Sequence, residues 1–272
     1  MPTTPETTRA MAQALRPRWG WLLLSFARRE VLNRYAGSVS GLAWTLFHPL
    51  AQLAIFAFVF SQIFRVAVPA GYSAATYTTF VALALWPWIM FTEGLQRAMG
   101  SVAGNAGLIR KVAFPHRLLV YAAVLASVAV HAAGFIAVIV VLKLLGEPVR
   151  LSALPIAFLL LVPYMLLAAG LGAALAAFQT MLRDVEHGVN IILTMLLYAS
   201  PVLYPASLVP ASFEWWTRVN PIAWFSERMR EVFIGGSGLV TGDFLVAAFC
   251  LAVFAGGLWI FNRISPHFED FL

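Results

Sequence analysis

The sequence predicts an all-α polytopic membrane protein with six transmembrane helices, an interfacial amphipathic helix at the N-terminus, and a re-entrant or interfacial helical hairpin before the last span. Three observations predict it. Of the 272 residues 61% are hydrophobic and only 11% charged, with a mean hydropathy of +0.83, which is too little polar surface to cover a water-soluble globule of this size. The apolar residues come in runs of about 20, enough to cross a hydrocarbon core of about 30 Å. The runs are also bounded by ions, glycines and prolines: RDVEHGVNIILTMLLYASPVLYP, residues 183–205, starts at a charged patch and stops at Ser200-Pro201 and Tyr204-Pro205.

The elements follow in order within one membrane domain, residues 1–272. Residues 1–18, MPTTPETTRAMAQALRPR, are polar and proline-broken and read as a flexible cytoplasmic tail; no A-x-A-like cleavage site follows, so no signal peptide is expected. Residues 19–36 form the interfacial helix. On a helical wheel Leu24, Val31, Leu32 and Tyr35 fall on one side and Arg29, Glu30, Asn33 and Arg34 on the other, with Phe26 and Arg28 departing from the pattern. The alternative, a first span starting here, would bury charges at roughly 2.5–3.5 kcal/mol each.

The six spans are residues 42–64, 76–99, 118–142, 151–178, 188–203 and 244–262. The second carries Trp86-Pro87-Trp88, where the proline should kink the helix. The fourth holds Gly170 and Gly172, which would let a neighbouring helix approach closely. Residues 204–243 are too polar to cross and too aromatic to float free, with Trp215, Trp216, Trp224 and Phe225 among Glu214, Arg218, Glu227, Arg228, Arg230 and Glu231; this is the outer hairpin.

Charge sets the orientation. The net charge of +6 rests on 18 basic residues, and twelve of them fall in the N-terminal region, the 97–117 stretch, Arg183 and Arg263, against six in the other connections. The positive-inside rule therefore places both termini in the cytoplasm, and the arginine excess marks membrane flanks rather than nucleic-acid binding.

Catalytic and metal-binding classes find little support. The single cysteine, Cys250, allows neither a disulfide framework nor a cysteine metal site. The five histidines are scattered, and H-E-x-x-H, G-x-S-x-G and G-x-x-x-x-G-K-[ST] are all missing, so no metal, cofactor or catalytic residue is expected and ATP would be hydrolysed by another polypeptide. His131, deep in the third span, is the one histidine placed where an ionisable group is costly.

That leaves the interruption between the second and third spans, GSVAGNAGLIRKVAFPHR. Asn105, Leu108, Ile109, Arg110, Lys111, Phe114 and Pro115 set apolar side chains (Leu108, Ile109, Val112 and Phe114, expected to be exposed) beside a basic pair, a pattern that a partner could grip through an apolar anchor fixed by charge. A basic loop that merely obeys the positive-inside rule would look similar.

At this point the residues resemble a family: the membrane subunits of type-2 ABC exporters, in particular those exporting O-antigen, capsular polysaccharide or teichoic acid. The resemblance runs from about Arg28 to the end. It is carried by Arg34-Tyr35 followed by Ser38, Gly41, Trp44 and Pro49; Leu108-Ile109-Arg110-Lys111 with Phe114-Pro115; Arg183-Asp184-Val185; Ser200-Pro201-Val202 with Tyr204; Asn220-Pro221; and Ser265-Pro266-His267-Phe268. It implies a homodimer in the bacterial inner membrane with a channel at its interface, bound to two copies of a separate ATPase that holds ATP and magnesium. Residues 104–115 would then couple to that ATPase. The helix at 19–35 would lie beside it, where a lipid-linked glycan is admitted, and residues 205–236, with Trp215, Trp216, Asn220, Pro221 and Trp224, would close the exit.

Within that frame the anionic head of a lipid-linked glycan would be drawn to Arg28, Arg29, Arg34 and Tyr35, although the same arginines would equally anchor the helix to anionic membrane lipid. Phe56, Phe60 and Phe64 make an i, i+4, i+8 stripe on the first span, joined by Trp86 and Trp88 on the second. Flat rings can stack on the C–H faces of sugars and let a polymer slide; lipid-facing aromatics of an interface belt are the alternative. Two other functions remain open: a type-2 permease for a drug or lipid, and a membrane-embedded transferase, which would need paired acidic or histidine residues at one membrane face.

Overall fold

In the computed structural model, residues 19–35, 43–72 and 75–271 are described. The tail 1–18 and Ser38, Gly41 and Leu42 of the sequence reading lie outside the described residues, as does the side chain of Tyr35. Every regular element among the described residues is helical. The longer ones are α1 (Trp19–Tyr35), α2 (Ala43–Phe58), α3 (Tyr77–Gly100), then a short α4 (Ala106–Ile109), α5 (Arg117–Leu144), α6 (Leu154–Met181) and α7 (Val185–Ala199). They are followed by α8 (Glu214–Val219), α9 (Pro221–Arg230), α10 (Thr241–Ile264) and a last turn α11 (Phe268–Phe271).

Among the described residues, four helical stretches are long and apolar enough to cross a membrane: Tyr77–Gly100, Arg117–Leu144, Leu151–Met181 and Thr241–His267. Two more, Phe47–Ile63 and Val185–Ala199, are apolar but shorter. The fifth expected span thus ends at Ala199 rather than at residue 203. Ser200 turns extended ahead of Pro201, as the residue before a proline is driven to do, and Val202 and Leu203 are fully buried in the turn that follows. The first apolar helix runs through Pro49, widens into a π-turn at Val59–Ile63 and stops at Arg65, whose φ of 51° lies in the left-handed region. Helix α3 passes through Pro87 without a break.

The core forms around α3, which packs against α2, α5, α6 and α9 and buries most of its length. Helix α6 supplies small residues where backbones must meet. A Cβ on Gly172 would come within 2.5 Å of the Ala98 Cβ, and across the α6–α10 contact a methyl group on Gly257 would strike the Gly170 backbone and one on Gly170 the Phe254 backbone. Helix α10 touches the bundle along one seam, Asp243, Cys250, Gly257 and Phe261, while Phe244, Leu245 and Trp259 stand exposed, a surface that hydrocarbon rather than water would cover. Replacing Gly257 with valine should separate α6 from α10 and leave little folded protein in detergent, whereas valine at Gly256, which has open space beside it, should be tolerated; gel filtration of the two variants checks this.

Helix α1 is turned with its charges inward. Glu30, Arg34 and Ala27 lie against the bundle, and Trp21, Leu24 and Leu32 are exposed. Of the side chains the wheel puts on the polar side, Glu30 and Arg34 pack on protein while Asn33 is exposed. Lipid accepts the leucines, and the ions find partners only inside.

Candidate functional site

The helices bring together a polar groove, an ionic cluster, a surface element and a latch at the 204–243 hairpin. The groove lies between α2, α3 and α7 and encloses about 390 Å³. Each helix contributes a stripe at i, i+4 spacing: Gln52 and Phe56 from α2; Trp88, Thr92 and Gln96 from α3; Asn190, Thr194 and Tyr198 from α7. The Gln96 amide donates to Asn190 Oδ1 at 2.7 Å and ties two of the stripes together. Amides and hydroxyls at these depths are costly against lipid and mark a cavity or pathway. The spacing of Gln52, Thr92, Gln96, Asn190 and Thr194 within apolar runs was visible in the sequence and could have identified them.

Of the five expected channel aromatics, Phe56 and Trp88 line this groove. Phe60 stacks on Tyr77 at 6.0 Å and extends the ring row toward Phe64, which is exposed. Trp86 is buried elsewhere, its indole N–H donating to the His131 carbonyl at 3.0 Å. Residues two apart on a helix point some 200° apart, so only one of Trp86 and Trp88 can face the groove.

The ionic cluster centres on Glu93. Its Oε1 receives Arg34 Nη2 at 2.5 Å and Arg97 Nε at 2.6 Å, while Oε2 meets His131 Nε2. Arg97 also pairs with Glu30 at 3.2 Å, and Arg29 donates to Asn105 Oδ1 at 2.5 Å. Thus α1, α3, α5 and the turn preceding α4 are joined by one run of charged and polar contacts. Arg34 and His131 are almost fully buried here, Arg29 is half-buried against Phe26, and Arg28 alone of the three expected head-group arginines is exposed. Glu93 and Arg97 were not singled out from the sequence. The signal was an acid near the end of an apolar run with an arginine four residues on.

The surface element is a 3₁₀ turn at Ala103–Asn105 followed by α4. Arg110, Lys111 and Val112 are exposed, but Ile109 is buried and Leu108 and Phe114 pack on the core, so the expected exposure of these three is corrected. Phe114 meets Phe26 of α1 at 5.4 Å and His116 at 5.4 Å, which seats the element on the first helix. Pro115 is half-buried.

The latch at the hairpin is built on two arginines that sequence reading counted only as charges. Arg230 is fully buried and donates to the carbonyls of Phe80 (3.1 Å), Pro201 (2.9 Å) and Val202 (2.7 Å) and to Glu227 (2.8 Å). Arg228 pairs with Asp243 at 2.8 Å and with Glu231, and caps the Gly238 carbonyl at 2.6 Å. Asn220 caps α9 through Ile222 N at 2.9 Å with Pro221 in the first turn, and its amide holds Ser200 at 2.7 Å, so the Ser200-Pro201 and Asn220-Pro221 motifs meet. Trp216 and Trp224 donate to Ala199 O (3.0 Å) and Asp243 Oδ1 (3.1 Å), and Trp215 is exposed. Burial, with Glu227 and Glu231 nearby, pushes the Tyr72 phenol above its usual range. Among the described residues, no three His, Cys, Asp or Glu side chains cluster to hold a metal ion.

A helical bundle with four membrane-length helices and an amide- and aromatic-lined groove defines a multi-pass membrane transport protein. Residues 22–234 match the family model described as ABC-2 type transporter, and the chain belongs to that family. It is 27% identical over 256 residues to the O-antigen export system permease protein RfbA of Klebsiella pneumoniae, covering 92% of this chain and 95% of the relative. A second protein of that name, from Myxococcus xanthus, is 28% identical over 194 residues, 69% of this chain and 70% of its own. The polysialic acid transport protein KpsM of Escherichia coli is 21% identical over 211 residues, 76% of this chain and 79% of its own.

Proposed function

We propose that this chain is the channel-forming permease subunit of an ATP-driven exporter of a lipid-linked surface polysaccharide across the bacterial inner membrane. The observation that carries the reading is the near end-to-end likeness to permeases named for O-antigen export, together with a groove whose lining suits a sugar polymer. Aromatic faces for sugar C–H surfaces and amides for hydroxyls stand side by side at Phe56, Trp88, Gln52 and Gln96.

The groove needs a second wall. Helices α2 and α7 touch their own bundle through thin seams (Leu53 and Ala57; Val189, Leu193 and Leu197) and leave Phe47, Ile55, Phe58, Ile191, Ile192 and Met195 exposed beside it. A second copy would cover those side chains and close a channel between two grooves. The shorter apolar helices would then complete six spans, with both termini in the cytoplasm. Two copies of a separate ATPase, holding ATP and magnesium, would dock at residues 103–115, where Arg110, Lys111 and Val112 face outward and Asn105 passes movement to Arg29. Arg28 is the arginine free to meet an anionic head group; Arg29 and Arg34 would act through α1.

The test is to delete the gene in its host, measure surface polysaccharide and internal lipid-linked glycan, and complement with Phe56→Ala/Trp88→Ala. Deletion should abolish surface glycan and accumulate the lipid-linked form, and the double variant should assemble normally but export at about a tenth of the wild-type rate, a barrier raised by about 1.4 kcal/mol. Intact surface glycan after deletion would sink the polysaccharide reading in favour of a drug or lipid substrate.

A further inference from the structure

A second cavity lies away from the groove, among α1, α3, α5, α6 and α10, and encloses about 460 Å³. Its lining is apolar apart from the Tyr121 hydroxyl, and it includes Leu23, Met90, Val128, Val162 and Phe254. A cavity so lined does not hold water. Tyr121 and Phe254 rings meet across it at 6.2 Å. One helical turn before Tyr121 on α5 stands Arg117, and seven residues after Phe254 on α10 stands Phe261. Those two residues line a smaller notch of about 240 Å³ with Asn262 and Ser265. The two spaces therefore follow one another along the same faces of α5 and α10, apolar at mid-membrane and cationic at the end where α5 begins. Arg117 is exposed and makes no ion pair among the described residues.

We infer that this pair of cavities is a binding site for an anionic glycerophospholipid of the surrounding bilayer, with a hydrocarbon chain in the apolar cavity and the phosphate at Arg117. An apolar cavity followed one helical turn along α5 by a cation matches both halves of such a molecule, and the guanidinium fork suits a phosphate. The occupant would fill the gap that α1 leaves against α10 and hold the first helix to the bundle. This inference does not depend on which polymer the groove carries.

The full-length permease, purified in mild detergent and given phosphatidylglycerol in mixed micelles, is to be examined by native mass spectrometry as wild type, Val128→Trp, Val162→Trp and Arg117→Gln, with Leu144→Trp as an outward-facing control. The wild type and the control should retain phosphatidylglycerol, and it should raise their thermal stability. Each tryptophan in the cavity and the loss of Arg117 should weaken retention about tenfold, or about 1.4 kcal/mol. Arg117→Gln changes only an exposed side chain, so its result stands even where a tryptophan variant misfolds. Unchanged retention in Arg117→Gln, equal retention of a zwitterionic phospholipid, or recovery of an isoprenoid-linked glycan in place of phospholipid would each overturn the inference.

Discussion

Replacing Glu93 with glutamine is expected to be among the most damaging single changes in this chain. The carboxylate is the common partner of Arg34, Arg97 and His131, and Arg34 is only 7% exposed. Glutamine keeps the shape but removes the charge and turns an amide N–H₂ toward cations. Breaking a buried ion pair by removing one partner costs about 3–5 kcal/mol, because the other charge is left in a low dielectric. Glu30→Gln, by contrast, removes a partner of Arg97 from a pair about 30% exposed on both sides and should cost less than about 1 kcal/mol. Thermal unfolding in detergent separates these outcomes: a steep fall in the midpoint for Glu93→Gln and a small one for Glu30→Gln. The double variant Glu93→Gln/Arg34→Gln should recover part of the loss, since both charges leave together and coupling within such a network runs at about 0.5–3 kcal/mol. A double variant no better than the sum of its parts would mean that Arg34 is not held by Glu93.

The cluster also shows what a sequence of this kind reveals and what it hides. The membrane class, the all-helical character and some of the residues that start or stop helices were legible, because each rests on composition or on residues that act locally. Ser200-Pro201 stops α7, Asn220-Pro221 starts α9, and Gly170 marks a close crossing. The direction in which a face points was not legible. A wheel of α1 separates leucines from ions, but whether the ions meet water or protein depends on Glu93 and Arg97, some sixty residues away. The same limit explains Ile109 and Phe114. Apolar residues in a short connection look like an exposed anchor until Phe26 is brought against them. Trp86 and Trp88 were read as a pair, although helical geometry alone forbids them one face. The polar stripes of the groove were hidden for a different reason: single glutamines and threonines in an apolar run attract notice only when the run is read at a period of four.

At the hairpin end the decisive residue is Arg230, and substituting it with lysine is expected to unlatch the hairpin. The guanidinium reaches α3, the 200–203 turn and its own helix at once. It donates to the Pro201 and Val202 carbonyls of the turn and to the Phe80 carbonyl of α3, pairs with Glu227, and lies 3.7 Å from the centre of the Phe80 ring. Lysine brings the same charge as a single point on a flexible stem and cannot reach carbonyls on both α3 and the 200–203 turn, so the exchange is not conservative here. Each carbonyl left buried and unsatisfied costs about 1–3 kcal/mol, which makes the loss large even if lysine keeps Glu227. Arg230→Met removes the charge as well and should be at least as severe. The latch joins the start of α3, the end of α7 and the hairpin, so its loss should loosen that end before it melts the helices deeper in the bundle. Limited proteolysis of the detergent-solubilised protein should then cut both variants within residues 204–240 at protease levels that leave the wild type whole, while Arg218→Lys, which changes an exposed pair with Glu214, stays as protected as the wild type. Equal protection of Arg230→Lys and wild type would show that the carbonyls find other donors and that the hairpin is held by its apolar contacts, Phe225 on Tyr164 and Phe233 on Phe135, rather than by the arginine.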